Sequence, residues 1–473
     1  MSNKKYMDQS KSLFLIVAYL IVIFSFSFVF DKQPPIPPKS TRELYLQFCA
    51  GCHGQKLERF AARQWIYGSS LKEVSSTIKN GRPAIGMPGY SKAMDDDQIT
   101  AMANYMIAEV AKVPAKIPST FNDNDTVRSM NFSFVLKEVV GKNLNIPWGM
   151  AFLPNGDLLV TEKAGQLYQV SKGKMTLIEG LPPITVRGQG GLMEVVLHPK
   201  FSTNHIIYIS YIDGESPDKV NTSVARAELS KDRLIHFKRI FHALPETNSG
   251  VQFGGRMVFD KSGYLFISVG DRGPKEDAQK LNNYNGKIHR IFDDGTIPDD
   301  NPFVKTPHAI GSIWCYGNRN GEGLYYEKST GILWENEHGP KGGDELNIIK
   351  KGLNYGWPAI TFGIDYDGTV ISPDTARAGM EQPVYYWTPS IAPSSLTRVT
   401  GSIYKGWEGN FLNGSLSFQY LERLIVKGNK VVGHEKLLQK IGRVRNIVQA
   451  PDGYLYIAVE KSGKIYKLVP VSK

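Results

Sequence analysis

Between residues 128 and 470 the chain carries no long helical periodicity. Short runs rich in Val, Ile, Leu, Tyr and Phe recur instead, bounded by Gly, Pro, Asn or Asp, which is the pattern of strands and tight turns. AFLPNGDLLVTEKAGQLYQV (151–170) and IVQAPDGYLYIAVEKSGKIYKLV (447–469) are clear relatives of one another. VVLHPKFSTNHIIYISYI (195–212) and MVFDKSGYLFISVGD (257–271) share their form of apolar run, turn, apolar run. Weaker copies lie at 323–339 and 404–426. Six units in this span make roughly 57 residues each, the size of a four-stranded propeller blade. One unit cannot cover its own sheet faces, whereas stacking six around a ring does. A pair of β-sandwiches is the competing arrangement. The pattern predicts a mainly β six-bladed β-propeller over 128–473.

The N-terminal part has a different rhythm. Ile99, Met102, Ala103, Met106, Ile107 and Val110 follow helical spacing behind the acidic start Asp95 to Asp97. Arg42 to Ala50 and Leu71 to Lys79 read as two further helices. Residues 41–113 thus predict a small all-α domain, and Pro114, Pro118 and the polar Asn122 to Thr126 a linker over 114–127. Upstream, Leu13 to Phe30 is 18 positions without a charge. As a helix at roughly 1.5 Å per residue it would span about 27 Å, close to a bilayer core. Lys4, Lys5 and Lys11 lie in the tail 1–12, so the segment 13–30 predicts an N-terminal transmembrane helix with the tail cytoplasmic and the rest on the exported, periplasmic side. A cleaved signal peptide is the alternative, with Ser25-Phe26-Ser27 as a weak processing site. The Pro-rich 31–40 is a semi-rigid spacer.

Composition narrows the classes. Apolar residues at 41% and charged residues at 21% exclude wholesale disorder, and 3 Cys in 473 residues exclude a disulfide scaffold. The net charge of +11 suits an anionic partner or a membrane surface. No Lys/Arg run with interleaved aromatics appears, which argues against nucleic acid.

The all-α segment carries a covalent haem signal. Cys49-Ala50-Gly51-Cys52-His53 places two thiols where they can add to the two vinyl groups of one haem, with the adjacent His under the iron. With so few Cys and His, chance predicts on the order of 4 × 10⁻⁴ such motifs. Met87, held in Gly86-Met87-Pro88-Gly89, is the expected sixth ligand; Met94 is its rival. Residues 40–113 resemble a class I cytochrome c domain, on CAGCHG and GMPGY.

The propeller loops are also specific. GQGGLMEVVLHPKF (188–201), GNRNGEGL (317–324), EHGPKGGDELNIIKKGLNYGWP (337–358), TFGIDYDG (361–368) and GRVRNIVQAPDG (442–453) stand out. With GGRMVF and YYWTPSIAPSS they resemble the pyrroloquinoline quinone (PQQ)-dependent aldose sugar dehydrogenase and soluble glucose dehydrogenase family over nearly all of 130–470. The resemblance implies an oxidoreductase acting on an aldose sugar or related alcohol, with the haem as electron exit to a further acceptor. It implies that Gln189, Arg319 and Asn320 contact PQQ and that Arg443 and Arg445 meet its carboxylates. It implies that the carbonyls of Gly339 and Pro340 bind a catalytic Ca²⁺, that Glu345 and Tyr355 belong to a second Ca²⁺ site, and that Tyr366 and Trp387 line the pocket.

Two departures from that family stand out. Its catalytic base is a His four residues before the Arg of the Gly-Arg motif; counting back from Arg256 gives Gln252. A carboxamide cannot accept a proton at any usable pH. The family also has a cofactor-contacting Lys where this chain has Ser417. His242 is the nearest upstream His, ten residues away, and Asp271 and Asp344 are carboxylates near the expected pocket that could serve as substitute bases or as structural groups. These departures leave a second expectation: a catalytically impaired propeller serving as a sugar-binding or electron-transfer module beside a working cytochrome. Cys315, alone in SIWCYGNRN, reads as a small buried apolar residue.

Overall fold

The computed structural model describes residues 40–53, 57, 65, 67–82, 87, 89–112, 125–141 and 144–471. The tail 1–12, the apolar segment 13–30, most of the spacer 31–40 and most of the linker 114–127 lie outside the described residues. Among the described residues no helix is long and apolar enough to cross a membrane.

The first part is helical: α1 (Thr41–Phe48), α2 (Ala50–His53), α3 (Leu71–Asn80) and α4 (Asp96–Lys112). The ends of α3 and the start of α4 have local causes. Ser70 caps α3, its hydroxyl accepting from the Glu73 amide while Glu73 accepts from the Ser70 amide, a reciprocal capping box. Gly81, at φ +68°, ends it. At α4 the same reciprocity joins Asp95 and Gln98. Ile99, Met102, Ala103 and Met106 are buried, and Ile107 and Val110 pack against them, so the apolar stripe of α4 faces a core shared with Tyr45, Cys49, Val74 and Ile78.

The second part is a ring of six sheets. Blade one comprises Pro147–Phe152, Leu158–Glu162, Gln166–Ser171 and Lys174–Ile178. Blade two comprises Leu192–Leu197, Ile206–Ser216, Lys219–Ser230 and Arg233–His242. Blade three is Met257–Phe259, Leu265–Val269, Lys287–Ile291 and Ile313–Tyr316, and blade four is Gly321–Glu327, Ile332–Glu337, Asp344–Ile349 and Tyr385–Trp387. Blade five is Pro393–Arg398, Phe411–Ser415, Tyr420–Lys427 and Lys430–Leu437. Each of these is antiparallel, innermost strand first.

Blade six closes the ring. Val444–Gln449, Leu455–Val459 and Lys464–Pro470 come from the C-terminal end, and Ser133–Val140 and Thr126–Arg128 are added from before blade one. The seam pairs Phe134 with Pro470, Leu136 with Leu468 and Val140 with Ile465. Phe134, Trp407, Tyr404 and Leu468 are fully buried there, and the Tyr404 hydroxyl donates to the Leu468 carbonyl at 2.7 Å. Phe134→Ala should cost about 3–5 kcal/mol, the cavity penalty for a buried aromatic. The second strands Leu158–Glu162, Leu265–Val269 and Leu455–Val459 are buried throughout, whereas the outer Lys430–Leu437 alternates exposed and half-buried positions. That gradient from centre to rim is why the inner strands read as continuous apolar runs.

Candidate active site and haem domain

The innermost strands converge on the ring axis, and charged side chains fill it. Arg256, just before blade three, donates to Glu194 of blade two at 2.6 Å, to the Glu322 carbonyl of blade four at 2.6 Å and to the Arg445 carbonyl of blade six at 3.0 Å. Arg445 in turn bonds Glu460 at 2.6 Å and Glu322 at 3.0 Å. Arg443 donates to the other oxygen of Glu460 at 2.5 Å and to the Leu416 carbonyl at 3.1 Å. Burial works against the charge of Glu460, but Arg443 and Arg445 outweigh it and hold its pKa down to about 2. Glu460 is thus held ionised between two guanidinium groups, and such pairs fix geometry more than they add stability.

Gln189, Gln252, Arg319 and Asn320 meet beside this network. The Gln252 amide donates to Gln189 Oε1 at 2.8 Å, and the Gln189 amide to the Gly250 carbonyl at 2.7 Å. Gln252 sits at φ +57°, and its own Oε1 is buried with no hydrogen-bond partner. Asn320 accepts from the Gly254 amide at 2.9 Å and donates to Glu322 at 3.1 Å. Arg319 reaches the carbonyls of His338 at 2.9 Å and Gly339 at 2.7 Å; its Nε is likewise buried and unpartnered.

The Gly339-Pro340 loop is pinned by Asp344. That carboxylate accepts from the amides of Gly339 at 2.8 Å, Ile391 at 2.6 Å and Ala392 at 2.9 Å, and from the Ser390 hydroxyl. Burial nevertheless lifts its pKa to about 7. A Cβ on Gly339 would stand 2.3 Å from the Gly343 backbone, so only glycine lets the loop fold this tightly. Asp271 is equally engaged: Trp357 Nε1 donates to it at 2.7 Å and the Gly273 amide at 2.9 Å, and burial raises its pKa. Both carboxylates are scaffolding here. His242 is bonded to Ser223 and Glu246, apart from this group.

Next to the loop lies a small cavity walled by Arg319, Glu337, His338, Gly339, Glu345, Tyr355 and Trp357. Glu335 and Glu337 are buried and Glu345 half-buried around Asn347, whose Nδ2 lies 3.2–3.3 Å from one oxygen of each. Burial first, and mutual repulsion for Glu335 and Glu345, raises their pKa values, Glu337 to about 7. Among the described residues no three His, Cys, Asp or Glu side chains form a metal-ligand group, so a cation here would also need backbone carbonyls. The Tyr355 hydroxyl is engaged by the Ile348 carbonyl at 2.6 Å and the Lys350 amide at 2.8 Å. Glu335 and Glu337 were not singled out by sequence, although two carboxylates at i and i+2 in one buried strand, WENEH, face the same side.

Tyr366 lies in a turn closed by Asp365 and Thr369. Trp387 is buried with Trp334 and Phe411, its Nε1 donates to Glu422 at 2.8 Å, and its carbonyl accepts from the Gly343 amide of the Gly339–Asp344 loop at 2.8 Å. Ser417 adjoins Leu416, and its amide donates to the Ile391 carbonyl at 3.0 Å. Cys315 is fully buried, and burial raises its thiol pKa well above the usual value, which makes it unreactive.

In the helical domain, Cys49 is buried at the end of α1, and the His53 amide donates to its carbonyl at 2.9 Å. Cys52 and His53 follow in α2. Met87 pairs with Arg82 through two backbone bonds of 2.7 and 3.1 Å and packs half-buried on the core that contains Cys49. Met94, 3% exposed, is a buried member of that core. This domain touches the propeller near the cavity. The Phe48 ring lies 4.1 Å from Lys341 Nζ, directly after Pro340, and a Cβ on Gly368 would stand 3.0 Å from that ring.

Comparison with known proteins agrees with this architecture. Residues 144–467 match the family model for glucose/sorbosone dehydrogenases, and residues 37–106 that for cytochrome c oxidase, cbb3-type, subunit III. An aldose sugar dehydrogenase of Escherichia coli (strain K12) is 40% identical over 342 residues, covering 70% of this chain and 92% of that protein. The crystal structure of the soluble E. coli aldose sugar dehydrogenase in its apo form superposes with a TM-score of 0.68 at 37% identity, over 72% of this chain and all of that one. The PQQ-bound aldose sugar dehydrogenase of Streptomyces coelicolor gives 0.60 at 25% identity, over 74% and 99%. The chain belongs to the glucose/sorbosone dehydrogenase family of sugar-oxidising propellers, and it carries a cytochrome c domain, hence haem c, ahead of the propeller.

Proposed function

We propose that this protein oxidises an aldose sugar or related alcohol with PQQ held in the propeller, and passes the electrons to its own haem c. A downstream cytochrome or respiratory-chain component then takes them, on the exported side of a membrane to which residues 13–30 tether the chain. The observation that carries this reading is the contact of Phe48 with Lys341: the residue beside Cys49 rests on the residue beside Pro340. A ring against an ammonium at that distance is an attractive pairing. Lys92, also from the helical domain, favours the charged form of Asp367 in the neighbouring turn.

The site chemistry suits a polyanionic quinone. Two buried polar atoms, Arg319 Nε and Gln252 Oε1, stand without partners, and Arg443 and Arg445 add two permanent cations. PQQ, when bound, supplies a two-electron acceptor for the sugar carbon. Arg319, Asn320 and Gln189 would hold it, with Arg443 and Arg445 toward its carboxylates. The Gly339 carbonyl keeps a second lone pair beside its bond from Arg319 and would serve a Ca²⁺ together with Pro340. Glu345, with the Tyr355 backbone, would hold a second Ca²⁺, which would relieve the crowding of the three glutamates. His53 and Met87 would ligate the haem iron, and Cys49 and Cys52 would attach it.

Gln252 favours a second reading, because no imidazole stands at the base position and Asp271 and Asp344 are both engaged. In that reading the propeller binds sugar or relays electrons without oxidising it. The purified haem-containing chain, loaded with PQQ and Ca²⁺ and mixed with a panel of aldoses, decides between them. The reduced-haem spectrum is expected; PQQ binding without haem reduction by any sugar establishes the second reading.

A further inference from the structure

We infer that Lys163 is a cofactor-anchoring residue: its ammonium, set between the Gly188-Gln189 loop and the Arg443–Arg445 pair, binds a carboxylate of the quinone cofactor and replaces the charge that Ser417 lacks. The inference rests on the PQQ reading above and concerns a residue that the family resemblance does not assign.

Lys163 follows the second strand of blade one and is clamped through its backbone. Its amide donates to the Ile146 carbonyl at 3.1 Å, and its own carbonyl accepts from Leu192 at 3.0 Å. A Cβ on Gly191 would stand 2.2 Å from that carbonyl, so the 188–192 loop closes directly onto Lys163. The half-buried side chain donates from Nζ to the Gly188 carbonyl, one residue from Gln189. Arg445 and Arg443 lie within electrostatic reach of it, as do Glu460 and Glu162.

The carboxylates around it are already engaged. Glu460 is shared by Arg443 and Arg445, Glu322 by Arg445 and Asn320, and Glu194 belongs to Arg256. Glu162 accepts from the amides of Asn145 at 2.8 Å and Ile146 at 3.0 Å. Among the described residues Lys163 makes no carboxylate ion pair, so its ammonium is the cation of this cluster left without a direct anionic partner. Burial and then the neighbouring Arg445 lower its pKa, and Glu460 and Glu162 oppose this only in part. Ser417 borders the same cluster, since Arg443 donates to the carbonyl of Leu416. The cation lost on one border of the Arg443–Arg445 pair is thus present on another.

The test uses the full haem-containing chain and measures PQQ affinity by equilibrium dialysis with Ca²⁺ present, together with the melting temperature without PQQ. Lys163→Met should weaken PQQ binding about 10–100-fold, the loss of one charge-assisted hydrogen bond. Lys163→Arg should keep it, and Ser417→Lys added to Lys163→Met should restore most of it. A purely structural lysine would lower the melting temperature and be indifferent to Ser417→Lys. Binding by Lys163→Met within about twofold of the parent overturns the assignment and leaves the PQQ reading intact; a parent that binds no PQQ removes both. If Lys163→Met does not fold, Ser417→Lys alone decides. With Lys163 already supplying the charge it should change affinity less than about twofold, and a gain of about tenfold overturns the inference.

Discussion

Gln252 and Gln189 are joined by a single hydrogen bond, backbone amide to side-chain Oε1 at 2.8 Å. The residue at the family's base position is therefore fixed by a residue expected to touch the cofactor, and its carboxamide is directed inward with Oε1 buried. The positive φ of +57° belongs to the backbone of this corner, and His, like Asn, tolerates that region better than most side chains.

Gln252→His should accordingly fold and raise sugar-dependent haem reduction by a sizeable part of the roughly 10²–10⁴-fold that a general base contributes. The new group must be neutral to take a proton, so the rate should rise with pH through about 6.5. A steady-state pH profile of both chains checks this; brisk turnover by the unsubstituted chain shows that another group acts as base.

Met87 and Met94 separate by their environments. Met87→Ala should open the sixth haem position and lower the reduction potential, read by ligand binding and by redox titration. Met94→Ala should leave the potential unchanged and instead cost about 2–5 kcal/mol as a core cavity. The reverse pattern would make Met94 the ligand.

Phe48→Ala should slow haem reduction without slowing sugar oxidation by a soluble acceptor. Losing a ring–ammonium contact of about 0.5–2 kcal/mol lowers the docked population about 2–30-fold. Stopped-flow traces of the two steps distinguish this from damage to the site.

Calcium should raise the melting temperature, and a chelator should reverse the gain. Glu345→Gln should abolish much of the effect. With Glu337 raised to about 7 and its neighbours raised too, cation binding releases protons, so affinity should increase as pH rises through 7. Calorimetry in two buffers of different ionisation heat measures the protons released.

His289 gives a separate acid dependence. It is fully buried, with Nδ1 2.9 Å from the Ser312 hydroxyl and Nε2 2.9 Å from the Tyr284 carbonyl, and burial lowers its pKa to about 3. The folded ring stays neutral while the unfolded one takes up a proton below about 6.5, so acid favours unfolding. Relative to His289→Gln, the parent should lose about 2 kcal/mol between pH 7 and 5. Denaturant titrations at both values test it.

Much of the fold was legible because each blade repeats a local pattern. All six sequence units fall on separate blades, and the stripe from Ile99 to Val110 lies on one helix. The seam was not legible: pairing Phe134 with Pro470 joins positions far apart in the chain, and no local period records it. At the site, loop motifs located the residues but not their partners. Glu322, in an inner strand, and Glu460, in the turn just after Leu455–Val459, engage Arg445, and their shared role exists only where blades four and six face each other.

The seam also sets an order in time. Ser133–Val140 is made before any blade is complete, yet its partner Lys464–Pro470 follows only after the strands of the other five blades. Until then the buried faces of Phe134 and Leu136 have nothing to pair with, and loop closure over such a separation is slow. The ring therefore cannot lock before blade six is made, and until then its early strands present an open edge, the state in which aggregation competes with folding.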